Sequence, residues 1–312
     1  AIAYTHYRKV LREQKNFERG LKMVPLFIHL PPPSEDIEGG GRDVRDVTEE
    51  NISKAQIMYG IIAGTIQKGF KTNFYGQRHF AFEIIGTQGF VKFYAVVPVS
   101  MVEVVKQAVI SAYPTARLEE VAEHNIFSPI GKLAGTVGGE FSLKEHYAFP
   151  IATYQEIKRD AIQSLLNAMS TLDKEDGAAI QILMRPANSS WRKDAQAEAT
   201  KKRKGTKDRK GMEGVFWWIK QIGIALVKPP EDKPGDDKKE ISSLDQSIID
   251  AIEDKTRYPG FEILIRVVAS SNISQRSLAM LNNIVASFSL YDAPGKNGFK
   301  YSPAKDIESF VT

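Results

Sequence analysis

Residues 80–121, FAFEIIGTQGFVKFYAVVPVSMVEVVKQAVISAYPTARLEEV, contain the element order that decides the fold. Two β-rich runs, FAFEIIG and GFVKFYAVVP, flank the short turn Gly86–Gly89 and predict a β-hairpin. The next run, SMVEVVKQAVISAYP, begins with a serine cap and stops before Pro114, as a helix does. TARLEEV then predicts another strand. The stretch therefore predicts strand, strand, helix, strand.

Upstream residues complete this unit. VPLFIHLPPP predicts a short strand that ends at prolines, which cannot continue a strand ladder. TEENISKAQIMYGIIAGTIQKGF has apolar residues at helical spacing and predicts a helix with Thr48 as its N-cap. The order βαββαβ thus covers residues 23–125, after an N-terminal helix over residues 1–22.

The same order recurs over residues 126–312. AGTVGGEFSL or HYAFPI predicts the first strand, AAIQILMRP the second and FEILIRVVAS the third, with helical patterns after the first and third. The predicted fold class is α+β, with two tandem ferredoxin-like (βαββαβ) units. Residues 187–258 separate strands two and three of the second unit, where the first unit has a tight turn. They predict a long, charged, helical insertion at a hairpin tip, where added residues cost little loop-closure entropy.

Charge is concentrated in this insertion. Residues 192–210 hold nine Lys/Arg against three Asp/Glu, and residues 231–255 hold nine acids against four lysines. Such blocks are typical of a solvated linker. Two other hypotheses remain open: contact with phosphates of nucleic acid or anionic lipid, and, with less support, nuclear targeting. The candidate contact residues are Arg192, Lys193, Lys201, Lys202, Arg203, Lys204, Lys207, Arg209 and Lys210. Trp217 and Trp218 predict an interface with lipid or with a partner helix.

The overall composition agrees with a folded, water-soluble domain. The chain has 312 residues, 42% of them hydrophobic and 26% charged, which is enough for two domains. It has no cysteine, which excludes disulfides and thiolate metal sites and fits a reducing compartment. No apolar run reaches the roughly 20 residues that a membrane span needs, and no signal peptide is apparent. Because the sequence opens inside a helical pattern at Ala1, we expect it to be part of a longer or processed protein.

Motifs for catalysis are missing from the sequence. No phosphate-binding G-x-x-x-x-G-K-[ST] loop, dinucleotide fingerprint or G-x-S-x-G elbow occurs. The five histidines show no metal-ligand spacing; they are His6, His29, His79, His124 and His146. We therefore expect no enzymatic activity, no cofactor and no bound metal in this chain.

One weak nucleic-acid motif lies on the third predicted strand. GFVKF, residues 89–93, resembles the end of the RNA-recognition octamer, so Phe90 and Phe93 are candidates for stacking on bases. The first octamer positions, Gly86, Thr87 and Gln88, lack the basic residue and one aromatic. The simpler hypothesis is a strand that alternates apolar residues into a core.

The chain also resembles a family over residues 50–302. Residues 80–121 are similar to a pattern in bacterial membrane-anchored ATPases of type IV secretion and conjugation, with a FY-x-x-VP strand and a YP-x-A-x-L block. AAIQILMRPANSSW and FEILIRVVASSNISQRSLAMLNNIVASFSLY resemble the next two blocks of that family. These motifs are structural, so the resemblance transfers no catalytic residue.

The resemblance implies a place in a larger machine. In that family the matching region follows transmembrane helices and precedes a HerA/FtsK-like ATPase domain with Walker motifs, which this chain lacks. It implies a non-enzymatic accessory domain on the cytoplasmic side of a bacterial membrane. Such a domain would serve oligomerisation or docking of secretion machinery during DNA transfer, through partners that include its own copies. The alternative is a nucleic-acid-binding module that uses the basic arm 192–210 and the sheet face.

Overall fold

The computed structural model describes residues 2–20, 22–29, 44–122, 135–154, 156–157, 161–170, 172–203, 243–293 and 295–311. The strands are β1 (Met23–His29), β2 (Phe80–Thr87), β3 (Phe90–Pro98), β4 (Arg117–Glu120), β5 (Thr136–Leu143), β6 (Gly177–Pro186), β7 (Phe261–Ser270) and β8 (Phe299–Pro303). The helices are α1 (Ile2–Gly20), α2 (Val44–Ala63), α3 (Phe70–Tyr75), α4 (Val102–Ala112), α5 (Ala161–Ser170), α6 (Ser190–Arg203), α7 (Ser243–Arg257), α8 (Ser274–Ser287) and α9 (Ile307–Val311). Short 3-10 turns, Val99–Met101 and Phe288–Tyr291, adjoin α4 and α8. The predicted α+β class is confirmed.

The strands within the described residues form one antiparallel sheet in the order β4-β1-β3-β2-β6-β7-β5-β8. The sequence pattern predicted a sheet for each half of the chain, whereas here the pairing of β2 with β6 joins both halves. This ladder runs from Phe80 opposite Met184 to Thr87 opposite Gly177. Strand β2 is suited to a central place because its residues on both faces are buried, as in strands with two covered sides.

Four helices cover one face of the sheet and form two apolar cores. In the first, Leu26 and Phe80 of the sheet pack with Ile62 of α2 and Val105 of α4, all of them fully buried. The second core joins the other half of the sheet to α5 and α8; its members include Met169, Ile180, Val267 and Ile284. We call this side the helix face, and the side away from these four helices the polar face.

The tight turn between β2 and β3 was predicted correctly. Thr87 lies opposite Phe90, so only Gln88 and Gly89 connect the strands. Both have positive φ, 54° and 79°, which is the signature of a type I′ turn. This turn has the twist that a two-residue hairpin needs.

The N-terminal helices depart from the predicted boundaries at both ends of α2. The predicted helix ran to Phe70, but α2 stops at Ala63 and the separate helix α3 begins at Phe70. Helix α2 begins at Val44, so Thr48 lies inside the helix and the prediction of Thr48 as N-cap was wrong. Helix α1 docks on α3 through two arginines: the Arg12 Nε donates to the carbonyl of Phe74 at 2.9 Å, and Arg19 donates to the carbonyls of Gly76 and Gln77. These carbonyls lie at the C-terminal end of α3, where the backbone C=O groups have no N–H partner within the helix.

Candidate interaction surfaces

The described part of the insertion is a helical hairpin with its own apolar core. Helix α6 contributes two buried alanines, Ala195 and Ala199, and α7 contributes Ile248, Ile249 and Ile252. Small residues on one helix let the bulky residues of the other approach closely. The prediction of a helical insertion is confirmed for residues 190–203 and 243–257, including the acidic segment that forms α7. The hypothesis of a solvated linker is wrong only for residues 201–203 of the basic run, which belong to α6; the rest of that run lies outside the described residues.

The hairpin is docked on the loop that follows β5. Ala148 of this loop is fully buried in the hairpin core. Lys255 Nζ donates to the carbonyl of Tyr147 at 2.6 Å, and the Tyr147 hydroxyl donates to Asp194 at 3.0 Å. Burial lowers the pKa of the Lys255 ammonium, and burial together with Asp194 raises the pKa of the Tyr147 phenol. Both helices are therefore held to Tyr147 of the loop, α6 through Asp194 and α7 through Lys255.

At the base of the hairpin, the Trp191 ring packs directly against the backbone of Gly260. A Cβ atom on Gly260 would lie 2.5 Å from the Trp191 Nε1, so only glycine permits this close approach. The Ala187 N–H donates to the Gly260 carbonyl at 2.9 Å, and Arg192 donates to the Tyr258 carbonyl at 3.1 Å. These contacts hold the base of the hairpin at the end of the β6–β7 pair.

Several cations of the predicted arm bind acids of the hairpin itself. Lys201 pairs with Glu198 at 2.5 Å. Lys202 lies 3.7 Å from Asp245 and 5.9 Å from the ring centroid of Phe149. Arg203 pairs with Glu253 across the two helices. Exposed pairs of this kind contribute about 0–1 kcal/mol each to stability, but they offset the positive charge that an anionic surface would meet.

The remaining candidates of the arm fall into two groups. Lys193 is exposed on α6, and Arg192 is half-buried at its start. The other predicted contacts lie outside the described residues; they are Lys204, Lys207, Arg209, Lys210, Trp217 and Trp218.

The two candidate RNA-stacking residues lie on opposite faces of β3. Phe90 is on the polar face and is 69% exposed at the tip of the hairpin. Phe93 pairs with Ile84 on the helix face and is half-buried. Side chains alternate along a strand, so residues three apart cannot share one stacking surface. Of the two, only Phe90 is placed to meet a base.

A polar row that the sequence analysis did not identify crosses the polar face. Glu140, Arg266, Gln181 and Glu83 are paired in register on β5, β7, β6 and β2. Gln181 donates to the buried carboxylate of Glu83 at 2.7 Å, and Arg266 lies 3.5 Å from the Gln181 amide oxygen. The next residue in the row, Tyr94, is buried, and its pKa is raised by that burial and by Glu83. The sequence signal was one polar residue inside each apolar strand, in GGEF, LIRV, IQI and FEI.

The sheet ends, in the described part of the chain, at the short strands β4 and β8. Arg117, Glu119 and Glu120 of β4 are exposed, as are Lys300 and Ser302 of β8. A sheet edge carries backbone N–H and C=O groups that can pair with another strand. These edges are therefore candidate contact sites of the kind expected for assembly.

A surface cavity of about 570 Å³ lies between α1 and α3. Its lining includes the polar residues Gln14, Arg19 and Thr72 and the apolar residue Leu11. Lys15 and Glu18, also in the lining, pair with each other at 2.6 Å. Arg19 is committed to backbone carbonyls, so the cavity supplies few free groups for a ligand.

The described residues contain neither a membrane-spanning helix nor a cluster of metal ligands. None of the helices described above is both long and apolar enough to cross a membrane. Within the same residues, no group of three or more His, Asp or Glu side chains is placed to hold a metal ion.

Comparison with known proteins identifies a family but no activity. No curated protein sequence matches the chain significantly. A family model described as "Domain of unknown function (DUF8128)" matches residues 48–309. This range includes the second core, the α6–α7 hairpin and the first core apart from its β1 residues. The match covers well over half of the chain, and the chain belongs to this DUF8128 family.

Proposed function

We propose that this chain is a non-enzymatic accessory domain of a motor protein of the type IV secretion and conjugation class. In this proposal it lies on the cytoplasmic side, near the membrane, and serves assembly or partner docking. The observation that carries the proposal is the α6–α7 hairpin, which the sheet does not need and which is nevertheless held by a core and polar anchors. Ordering the residues of this hairpin costs conformational entropy, although the sheet could be completed by a two-residue turn. We therefore infer that the hairpin is kept because it contacts another molecule.

The architecture supports a scaffold role as well. The strand orders β4-β1-β3-β2 and β6-β7-β5-β8, each with two covering helices, support an interpretation as two ferredoxin-like units set edge to edge. We propose that the chain is such a duplicated domain. The hairpin then replaces, in the second unit, the two-residue turn Gln88–Gly89 of the first.

The charge arrangement favours protein docking over nucleic-acid binding. The last turn of α6 holds three cations, and each has an acid partner within the hairpin. A phosphate-binding arm keeps its cations free, since affinity arises from neutralising phosphates and releasing counterions. The described part of the arm is thus better suited to a protein surface with mixed charge.

Replacement of the hairpin tests the proposal directly. Residues 187–260 would be exchanged for Asn-Gly, which forms the same type of turn as Gln88–Gly89. In the full-length protein, expressed in its own host, we expect native-gel complexes to become smaller while the protein still melts cooperatively. A matched control replaces only residues 204–242 by a Gly/Ser linker and so keeps α6 and α7.

Binding measurements distinguish the proposed docking role from nucleic-acid binding. Short DNA and RNA would be titrated at two salt concentrations against the wild type and a variant with Lys201 to Lys204 changed to alanine. Micromolar affinity with a steep salt dependence that the variant loses would overturn the proposal in favour of a nucleic-acid module. Unchanged complexes after hairpin replacement, or nucleotide hydrolysis by this chain alone, would also overturn it.

A further inference from the structure

The two ends of the sheet are complementary to each other in backbone geometry and in charge. We propose that a second copy of this chain binds head to tail, with β4 of one copy pairing antiparallel to β8 of the next. This inference deepens the proposed assembly role and rests on it. It names the partner, which is another copy, and the register of the contact.

The outward-facing backbone groups of β4 follow from its bonds to β1. The Val121 N–H donates to the Pro25 carbonyl at 3.1 Å, so Val121 points its backbone groups toward β1. Along an antiparallel ladder, the backbone N–H and C=O groups of alternate residues point to the same neighbouring strand. The backbone groups of Glu119 and Arg117 therefore also point toward β1. Leu118 and Glu120 therefore direct N–H and C=O away from the sheet.

The same argument gives the free groups of β8. The Ala304 N–H donates to the Gly138 carbonyl, and the Lys144 N–H donates to the Gly298 carbonyl, both at 2.9 Å. The even-numbered residues of β8 thus bond to β5. Tyr301 points both backbone groups outward, and both are free among the described residues. Phe299 also points outward, but its N–H donates to the Asp292 Oδ1 at 3.2 Å, so Phe299 offers only its carbonyl, as does Pro303.

The backbone groups and the side-chain charges together select one register. If Leu118 is opposite Tyr301, then Glu120 is opposite Phe299. About three backbone bonds form: two in the Leu118–Tyr301 pair and one from the Glu120 N–H to the Phe299 carbonyl. A shift of two residues in one direction brings Arg117 opposite Lys300, which places like charges together. The opposite shift sets Leu118 against Pro303, which lacks an N–H, and it moves Glu119 away from Lys300 and opposite the uncharged Ser302.

The side chains agree with this register. Glu119 falls opposite Lys300, and both belong to the polar face. They would occupy a non-hydrogen-bonded position, where side chains of paired strands are closest. On the helix face, Leu118 would contact the aromatic ring of Tyr301. Lys300 has no acid partner among the described residues, and Glu119, whose present contact is His29 at 2.9 Å, has a side chain that is 65% exposed.

Strand direction and symmetry support a head-to-tail contact. Neighbouring strands alternate in direction along the sheet, so β4 and β8, its first and eighth strands, run oppositely. A next copy placed alongside therefore continues the antiparallel pattern. A symmetric β4–β4 contact centred on Leu118 would need the N–H of Ala116, which is buried and already donates to the Tyr113 carbonyl. A β8–β8 contact centred on Tyr301 would place Phe299 opposite Pro303.

Cysteine cross-linking tests the register, because the 312-residue chain has no cysteine of its own. The 312-residue chain carrying Glu119→Cys would be mixed with the same chain carrying Lys300→Cys in a glutathione redox buffer. Facing residues at a non-hydrogen-bonded position fall within the Cα separation that a disulfide requires. We expect the mixed dimer to form at least tenfold faster than either homodimer. Arg117→Cys mixed with Lys300→Cys is the matched control and should cross-link no faster than the homodimers.

Charge reversal tests the contact without a covalent bond. Glu119→Lys and Lys300→Glu should each reduce self-association in sedimentation velocity at low salt. An equal mixture of the two variants should form dimers, since the lysine introduced in one chain then faces the glutamate introduced in the other. Equal cross-linking in the Arg117→Cys control, preferential Glu119→Cys homodimers, or no effect of Lys300→Glu would overturn the inference. The docking role would still stand in that case, because hairpin replacement tests it separately.

Discussion

The guanidinium of Arg266 lies 4.1 Å from the ring centroid of Phe310, and its Nη2 donates a hydrogen bond to the carbonyl of the same residue. This contact holds α9 against the polar face of the sheet, beside β5 and β7. Gly138 leaves room for it, since a Cβ atom there would lie 3.2 Å from the Phe310 ring. Burial lowers the pKa of Arg266, and the carboxylate of Glu140 opposes that effect. One aromatic residue thus covers the centre of the polar row.

Truncation of this aromatic side chain should release α9. We expect Phe310→Ala to reduce the free energy of unfolding by about 1–2 kcal/mol, through loss of apolar burial and of the cation–π contact. Amide exchange should accelerate in residues 307–311, as measured by hydrogen exchange with mass spectrometry. Ser309→Ala, which changes an exposed neighbour, is the control and should leave both quantities nearly unchanged.

A buried carboxylate should make stability depend on pH in the acid range. The Asp176 carboxylate accepts hydrogen bonds from the Arg276 Nε at 2.6 Å and the Asp173 N–H at 2.9 Å. Burial raises its pKa, but these bonds and one from Ser271 lower it more, so the pKa is below the ordinary 3.8. A depressed carboxylate pKa stabilises the fold above the ordinary value, and this stabilisation is lost as the pH falls below it.

The corresponding variant is Asp176→Asn. We expect it to lower the free energy of unfolding by about 2 kcal/mol at pH 7, because charged and buried hydrogen bonds are lost. Denaturant titrations between pH 7 and pH 3 should show the difference from the wild type shrinking below about pH 4. Asp173→Asn changes a carboxylate that is 76% exposed and should have a much smaller effect. A difference that stays constant down to pH 3 would contradict the role of the charge.

The hairpin core should depend on its central isoleucine. Ile249 is fully buried between α6, α7 and the loop, and Ile249→Ala should cost about 2–4 kcal/mol of unfolding free energy if the hairpin unfolds with the rest of the chain. Leu244→Ala is the control, because Leu244 is in the same helix and is 57% exposed. Hydrogen exchange in residues 190–203 distinguishes local from global loss: fast exchange there with an unchanged melting temperature would show that the hairpin opens alone.

The turn between β2 and β3 offers a stabilising substitution. Gln88 has a φ of 54°, which glutamine adopts less readily than asparagine. Gln88→Asn should raise the free energy of unfolding by about 0.5–1 kcal/mol, since Asn-Gly is the favoured pair for a type I′ turn. Gln88→Val should lower it, because a β-branched residue resists positive φ. Thermal melts of the two variants should therefore shift in opposite directions from the wild type.

Local patterns predicted most of the secondary structure. The hairpin around Gly86–Gly89, the helix that stops before Pro114 and the strands at residues 177–186 and 261–270 all appear where turn residues and apolar spacing indicated. These features depend on neighbours within a few residues, so the sequence contains their cause. The start of α2 was missed because a cap pattern at Thr48 also fits the interior of a helix with acids on its surface.

The polar row and the ion pairs of the α6–α7 hairpin could not be predicted from local sequence patterns. Glu140, Arg266, Gln181 and Glu83 come from strands far apart in sequence, and their meeting depends on strand order and register. Likewise, a block of lysines looks like a free arm until α7 places Asp245 and Glu253 beside it.

The sequence by itself determined the element order, the α+β class and the position of the insertion, because periodicity, caps and turns are local properties. Only the tertiary structure decided that β2 pairs with β6, so that both halves share one sheet. It also placed Lys202 opposite Asp245 and left β4 and β8 at the two ends of that sheet. Such pairings join segments that are distant along the chain. Their energies depend on burial and register, which a one-dimensional pattern does not specify.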